Sequence, residues 1–525
     1  MQKGHGHVDY VMVKEGLVDA SIEGEGISSA APQGHDVTAP ISAPAESKPK
    51  LRFGRMFEDA RLAPFQPDDQ ALVALGQVML NSPDLGDNLS LPAGYTYLAQ
   101  FVAHDMSFDQ NINIPDDKIS LDKVVQLRSP SLDLDSVYGA GPKSQSRLYK
   151  SETKLWVGKT LCSTVGDADR EYWNDLPREN PDNPKEAVIA DPRNDDNLAV
   201  SQTHVAFLRF HNKVVDHLSM DGLTGEALFE QARKKVIQHY QWIVVNDLLP
   251  RIIDETILKK AIENKNNPKY FILTQGKEPF MPVEFSLAAF RLGHSMVRDT
   301  YEWNRVFQSS NRSATKMAEL ADLFRQTGMR GRLSKEQKLP SSWIIDWTRF
   351  YDFTGHNGIA NNPKFNWSKK IDSTLAPALN EFEGFLRHIT EEKFRSLAVL
   401  DLIRGKYLGL PTGQDVAKIL GLHPLQPRDL SRGLHGDLLR YYDFDEKTPL
   451  WYYILKEAEI CTGGNRLGPV GSYIVAETIV ELIRTSRTSI LKEQNWQPDL
   501  GQIESNKFAM ADLLILANVV NPLGS

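Results

Sequence analysis

Residues 200–218 read VSQTHVAFLRFHNKVVDHL, which puts Val200, Phe207, Leu208, Val214, Val215 and Leu218 on one stripe of a helix. Residues 285–297, FSLAAFRLGHSMV, repeat the pattern through Phe285, Ala289, Leu292 and Met296. Residues 471–491 and 510–520 carry the same period. Strand signals are few and short. Stretches rich in Pro and Asp, such as 180–192, must be loops. The sequence therefore predicts a mainly α protein, a single large helical domain with long loops and little β.

Working outward, residues 28–50 (SSAAPQGHDVTAPISAPAESKPK) are poor in large apolar side chains. They cannot bury much surface. Residues 1–50 read as an N-terminal arm or linker that either wraps the core or stays disordered, and residues 51–525 as the catalytic domain. The 525 residues are 41% hydrophobic and 24% charged, which excludes a mostly disordered chain. Sixty basic against 68 acidic residues give a net charge of −8. This acidic balance argues against a nucleic-acid partner, which needs a basic face. Cys162 and Cys461 lack metal-ligand spacing and read as reduced thiols or one optional bridge. Residues 1–11 show no classical signal peptide, and no run reaches the roughly 18 apolar residues of a membrane helix. The expected location is cytoplasmic, or outside the cell by a route without such a signal.

Five clusters could carry chemistry. In YTYLAQFVAHDMSFD (95–109), a helix would put Gln100 and His104 on one face at i and i+4. In RSPSLDLDSVYG (128–139), oxygen-bearing Ser129, Ser131, Asp133 and Asp135 alternate, as a hard cation would require. Spacing alone favours a polar loop before a strand-like VYG. In ADPRNDDN (190–197), Arg193 stands among Asp191, Asp195 and Asp196, a pattern usual for a surface ion pair. In AAFRLGHSMVRD (288–299), Gly293 precedes His294 and would let a flat ligand approach. In DLIRGKYLGLP (401–411), Asp401 and Arg404 sit at i and i+3, as in a local ion pair. His204 and His211, seven residues apart, suit no compact zinc site and read as structural.

Taken in order, these clusters resemble the animal-type haem peroxidases of the peroxidase–cyclooxygenase superfamily, and most closely their bacterial members. The likeness runs from about residue 53 to about residue 471. It implies one haem b and Ca²⁺. His294 matches the proximal iron ligand, His104 the distal base, Gln100 its neighbour and Arg193 the catalytic arginine. Asp105, Ser129, Ser131, Asp133 and Asp135 match the calcium ligands, with Ser131 contributing its carbonyl. Asp196, Asp401 and Arg404 fall on haem-pocket positions. The implied partners are hydrogen peroxide and a small electron donor, either a phenol or an easily oxidised halide or thiocyanate, oxidised through a high-valent iron intermediate. The chain alone does not give the oligomeric state.

Four departures stand out. Ala103 replaces the aspartate that forms a haem ester in the family, Asp196 is one methylene shorter than the second ester-forming residue, and Asn197 excludes a sulfonium link. The resemblance then implies haem held largely or wholly without covalent bonds. Asp401 replaces the asparagine behind the proximal histidine, which implies a lowered iron potential. Within the superfamily the alternative is a fatty-acid dioxygenase or cyclooxygenase. Those enzymes use a tyrosine three residues before the proximal histidine, where this chain has Arg291. A dedicated biosynthetic haem oxidase, and a haem-binding protein that has lost turnover, are further alternatives.

Overall fold

The computed structural model describes residues 52–524, except 58–61, 109–120, 122–123, 163–171, 179–184, 265–269, 272, 274–278, 310–315, 329–332, 334–337, 357, 380–395 and 502–506. The N-terminal arm of residues 1–50 lies outside the described residues. The fold is mainly helical, as the sequence predicts. Its strands form three two-stranded ribbons, one parallel and two antiparallel.

One hydrophobic core runs through nearly the whole described chain. Its centre is the helix Leu198–Met220, which packs against Gly94–Met106 and Gly225–Ile243. Phe207 stacks on Phe101 with ring centroids 4.6 Å apart, and Tyr240 stands edge-on to both rings. Burying such aromatic side chains stabilises the packing by about 1.5–3 kcal/mol each. On the other side Leu397–Tyr407 packs on Asp69–Asn81. Gly76 permits that approach, because a Cβ there would stand 2.8 Å from the backbone nitrogen of Val399.

Several boundaries differ from the sequence reading. The stretch 285–297 is not one helix. It is a short α-turn, Val283–Ser286, followed by a 3₁₀ turn, Ala289–His294. The chain breaks at Ala288 (φ −133°, ψ −75°), and the following backbone bonds span three residues. The VYG that reads as strand-like ends a helical turn, Asp135–Tyr138. The helix expected over 471–491 is Pro469–Thr485, and that over 510–520 is Met510–Leu516. Both cysteines are unbridged and exposed. Among the described residues no helix is long and apolar enough to cross a membrane.

Candidate active site

The helix Gly94–Met106 positions the first wall of the site. Its start is fixed by Tyr95, whose hydroxyl donates to Asp247 at 2.7 Å, and by Tyr351, whose hydroxyl donates to the Gly94 carbonyl at 2.8 Å. At its other end the Arg193 Nη2 donates to the carbonyls of His104 (2.6 Å) and Ser107 (2.5 Å). A cation bonded to the last carbonyls satisfies orphan acceptors and complements the helix dipole. His104 is thus held from behind, with 3% of its surface exposed. Its Nδ1 lies 3.0 Å from the Asn194 side-chain oxygen.

The second wall is the 3₁₀ turn that carries Arg291, Gly293 and His294. Between the two walls lies a cavity of about 920 Å³, counted to its open mouth. Gln100, Ala103 and His104 from the first element and Arg291, Gly293 and His294 from the second all line it. A Cβ built on Gly293 would meet nothing within 4 Å, so the backbone there faces open space. Phe285, Phe290, Val297, Leu320, Phe324 and Leu379 make the remaining wall apolar.

Behind His294 the Nδ1 lies 2.7 Å from Asp401 Oδ2, and the other carboxylate oxygen accepts from Arg291 Nη1 at 2.5 Å. The carboxylate is buried. Asp401 therefore pairs with Arg291, 110 residues away, on the buried face of Leu397–Tyr407. Trp451 stands edge-on to the His294 ring, 6.4 Å between centroids.

The other residues singled out by the sequence fall around this cavity. Gln100 is fixed by its side-chain oxygen, which accepts from Asn197 Nδ2 at 2.9 Å, while its Nε2 points to Asp196 at 3.5 Å. Asp196 and Asn197 also line the cavity. Arg193 does not line it. It borders a smaller adjoining cavity with Arg291 and Arg404, so three buried guanidiniums converge there. Nor is the Arg193 cluster a surface ion pair. Asp191 is fully buried and receives both Arg128 (2.8 Å) and Arg193 (2.9 Å). Burial raises its pKa, but the two guanidiniums overcome that and hold the carboxyl far below the usual range. Asp195 is clamped by Arg178 through two hydrogen bonds of 2.6 and 2.9 Å.

Sequence reasoning names Asp191 only as a neighbour of Arg193 in a surface ion pair and does not single out Asn194. Asp191 has a local signal: it precedes Pro192 and caps the turn Pro192–Asp195, its side chain accepting from the Arg193 backbone N–H at 3.0 Å. Asn194 has none, since its role depends on two histidines that only the fold brings together.

The cation loop is tied to the same helix. Asp105 accepts from the backbone N–H groups of Leu134 (3.1 Å) and Ser136 (3.2 Å) and from the Ser136 hydroxyl (2.8 Å). Asp135 accepts from the Ser129 N–H at 3.0 Å, and its Oδ1 is buried with no hydrogen-bond partner. Burial, and then their mutual repulsion for Asp105, raises the pKa of both carboxyls. Leu132 and Leu134 adopt left-handed φ of 55° and 54°, which costs about 1–3 kcal/mol each and places Asp133 between two strained residues. Asp133 accepts from Ser486 at 2.5 Å, and the Ser131 hydroxyl bonds Thr485 at 2.5 Å. Among the described residues no three His, Cys, Asp or Glu side chains converge as a ready metal cluster.

The family model of the animal haem peroxidase matches residues 88–488. A peroxidasin homologue of Caenorhabditis elegans is 30% identical over 184 residues, 33% of this chain and 13% of that one. Myeloperoxidase of Mus musculus is 23% identical over 281 residues, 53% of this chain and 34% of that one. The chain thus spans about a third or less of these curated relatives. Peroxidase A of Dictyostelium discoideum shares the fold with a TM-score of 0.58 and 16% identity, covering 91% of this chain and 94% of that one. A fatty acid alpha-dioxygenase of Arabidopsis thaliana does so with a TM-score of 0.57 and 13% identity, covering 90% and 76%. The matched span holds both histidine walls, the Arg193 turn and the helix of Asp401, and the chain belongs to the animal haem peroxidase family.

Proposed function

We propose that this chain is a haem-dependent peroxidase that reduces hydrogen peroxide and oxidises small organic donors such as phenols, or easily oxidised anions. The observation that carries this reading is that His104 and His294, from two separate elements, line one cavity. The residues fit haem b. The open space at Gly293 admits a flat ring, His294 would ligate the iron, and the adjoining cavity bordered by Arg193, Arg291 and Arg404 gives that side a cationic field. Ala103 and Asn197 leave two family attachment points without a linking side chain, which supports non-covalent binding. Bound haem supplies the iron that takes up peroxide and accepts its two oxidising equivalents.

The chain's own residues do the rest. His104, held at Nδ1 by Asn194, would use Nε2 to accept a proton from one peroxide oxygen and return it to the other, which leaves as water. Gln100 is clamped by Asn197, which leaves its Nε2 to orient a small polar ligand beside Asp196. Arg193 holds the carbonyl end of the His104 helix and faces the adjoining cationic cavity. The apolar wall from Phe285 to Leu379 excludes water. The test is oxidation of a phenol by peroxide with haem-loaded protein. Absence of donor oxidation by protein that binds haem stoichiometrically would reject the reading.

Asp401 tunes the proximal side. A carboxylate pulls the His294 Nδ1 proton more strongly than a carboxamide and gives the ligand imidazolate character. Arg291 shares that charge through its 2.5 Å bond, so the pull is weaker than that of a lone carboxylate. Asp401→Asn is expected to raise the Fe(III)/Fe(II) potential measured by spectroelectrochemistry. A potential at or below the parent's contradicts this role.

Calcium is proposed for the loop at Ser129, Ser131, Asp133 and Asp135 with Asp105. The bare Asp135 Oδ1 and the strained leucines support it. Calcium at a hundredfold excess over its dissociation constant should stabilise the fold by about 2.7 kcal/mol. The expected result is a raised melting temperature for the parent and none for Asp135→Asn. Equal shifts in both proteins would remove Asp135 from the site.

A dioxygenase reading has one observation in its favour. Tyr97 lines the cavity, buried, with its hydroxyl donating to Tyr301 at 2.7 Å. Consumption of palmitic acid by the haem-loaded protein would favour that reading.

A further inference from the structure

One carboxamide bridges two buried imidazoles behind the cavity. Asn194 Oδ1 lies 3.0 Å from His104 Nδ1, and Asn194 Nδ2 lies 2.9 Å from His204 Nδ1. All three residues are buried, Asn194 and His204 completely. An amide oxygen needs an N–H opposite it, and an amide NH₂ needs a lone pair. The two rings must therefore hold opposite tautomers. His104 carries its proton on Nδ1 and keeps a lone pair on Nε2. His204 keeps its lone pair on Nδ1 and carries its proton on Nε2.

Turning the amide over would swap both rings. His104 would then present an N–H where it must accept a proton. The orientation of an amide follows from its network, and here His204 decides it. Burial pushes its pKa down to about 3, so it is neutral and holds one proton. Its Nε2 is buried with no hydrogen-bond partner, so no outside acceptor or donor biases the ring. A neutral imidazole left to itself favours the Nε2–H form. That form offers its Nδ1 lone pair to Asn194 Nδ2 and turns Oδ1 towards His104.

We propose that Asn194 and His204 are positioning residues that hold His104 in the tautomer whose Nε2 can take a proton in the cavity. This rests on the reading of His104 as the distal base. Neither residue touches the cavity lining, so both act through His104.

The test uses the full chain loaded with haem, labelled with ¹⁵N on histidine, as its diamagnetic ferrous carbon monoxide complex. Long-range ¹H–¹⁵N correlation reads the protonated nitrogen of each ring. The expected parent result is His104 protonated at Nδ1 and His204 at Nε2. His104 protonated at Nε2 in the parent overturns the proposal with no variant needed. Asn194→Leu should shift His104 towards the Nε2–H form. Asn194→Asp, which accepts from both rings, should keep His104 at Nδ1–H and convert His204 to Nδ1–H.

A second readout is the rate of cyanide binding, since hydrogen cyanide must give its proton to a distal base. Asn194→Leu should slow it roughly 10–100-fold, with Asn194→Asp recovering most of the loss. An unchanged rate in Asn194→Leu with fast binding in the parent overturns the positioning role alone. If His104→Leu also binds cyanide as fast as the parent, the distal-base reading itself fails.

Discussion

His104→Leu is expected to slow the reaction of the haem-loaded protein with hydrogen peroxide by about 10²–10⁴-fold, the range that a positioned general acid–base group contributes. Stopped-flow absorption checks it. The size follows from the site. Peroxide must lose a proton from one oxygen and gain one on the other, and His104 is the only imidazole that the helix Gly94–Met106 brings to the cavity. Leucine fills nearly the same space, so the variant should still bind haem with a normal spectrum. That separates lost proton transfer from lost structure. An unchanged rate would mean that another group moves the proton.

His294→Ala is the second large effect. The imidazole that would hold iron is fixed through Asp401 and Arg291, and among the described residues that line the cavity the only other histidine is His104. Removing it leaves the Asp401 carboxylate and the Arg291 guanidinium paired with each other, so the fold should survive. Haem affinity should fall at least 10–100-fold by analogy with loss of metal-site partners. The Soret band should be lost or displaced, and added imidazole should restore part of it. A parent-like Soret band in the alanine variant would remove His294 as the ligand.

The helix Leu198–Met220 is legible because its apolar stripe has helical period, and it forms close to where the pattern lies. Gln100 and His104 could be paired from i,i+4 spacing alone, and both line the cavity. The proximal segment was harder. Its apolar residues have helical period too, but Gly293 and the break at Ala288 turn it into a tighter 3₁₀ coil, which periodicity does not distinguish. Arg193 was found by its motif and its surroundings were misread. A charge cluster in a loop looks solvated in a sequence, whereas here Arg128 and Arg178, 65 and 15 residues earlier, bury it. Asp401 likewise has a partner 110 residues away, Arg291, which local spacing does not reveal. His204 read as structural, which is true of its burial but omits Asn194 between it and His104. Ties of this kind join residues of long sequence separation, and a single sequence carries no record of them.

The account stands on His104 and His294 facing one another across a haem. The most direct measurement is the absorption spectrum of the full chain produced with added haem precursor, recorded before and after one equivalent of hydrogen peroxide. The account predicts a Soret band that shifts on peroxide addition and returns when a phenol is supplied. A Soret band that peroxide leaves unmoved, or folded protein with no Soret band, would contradict it.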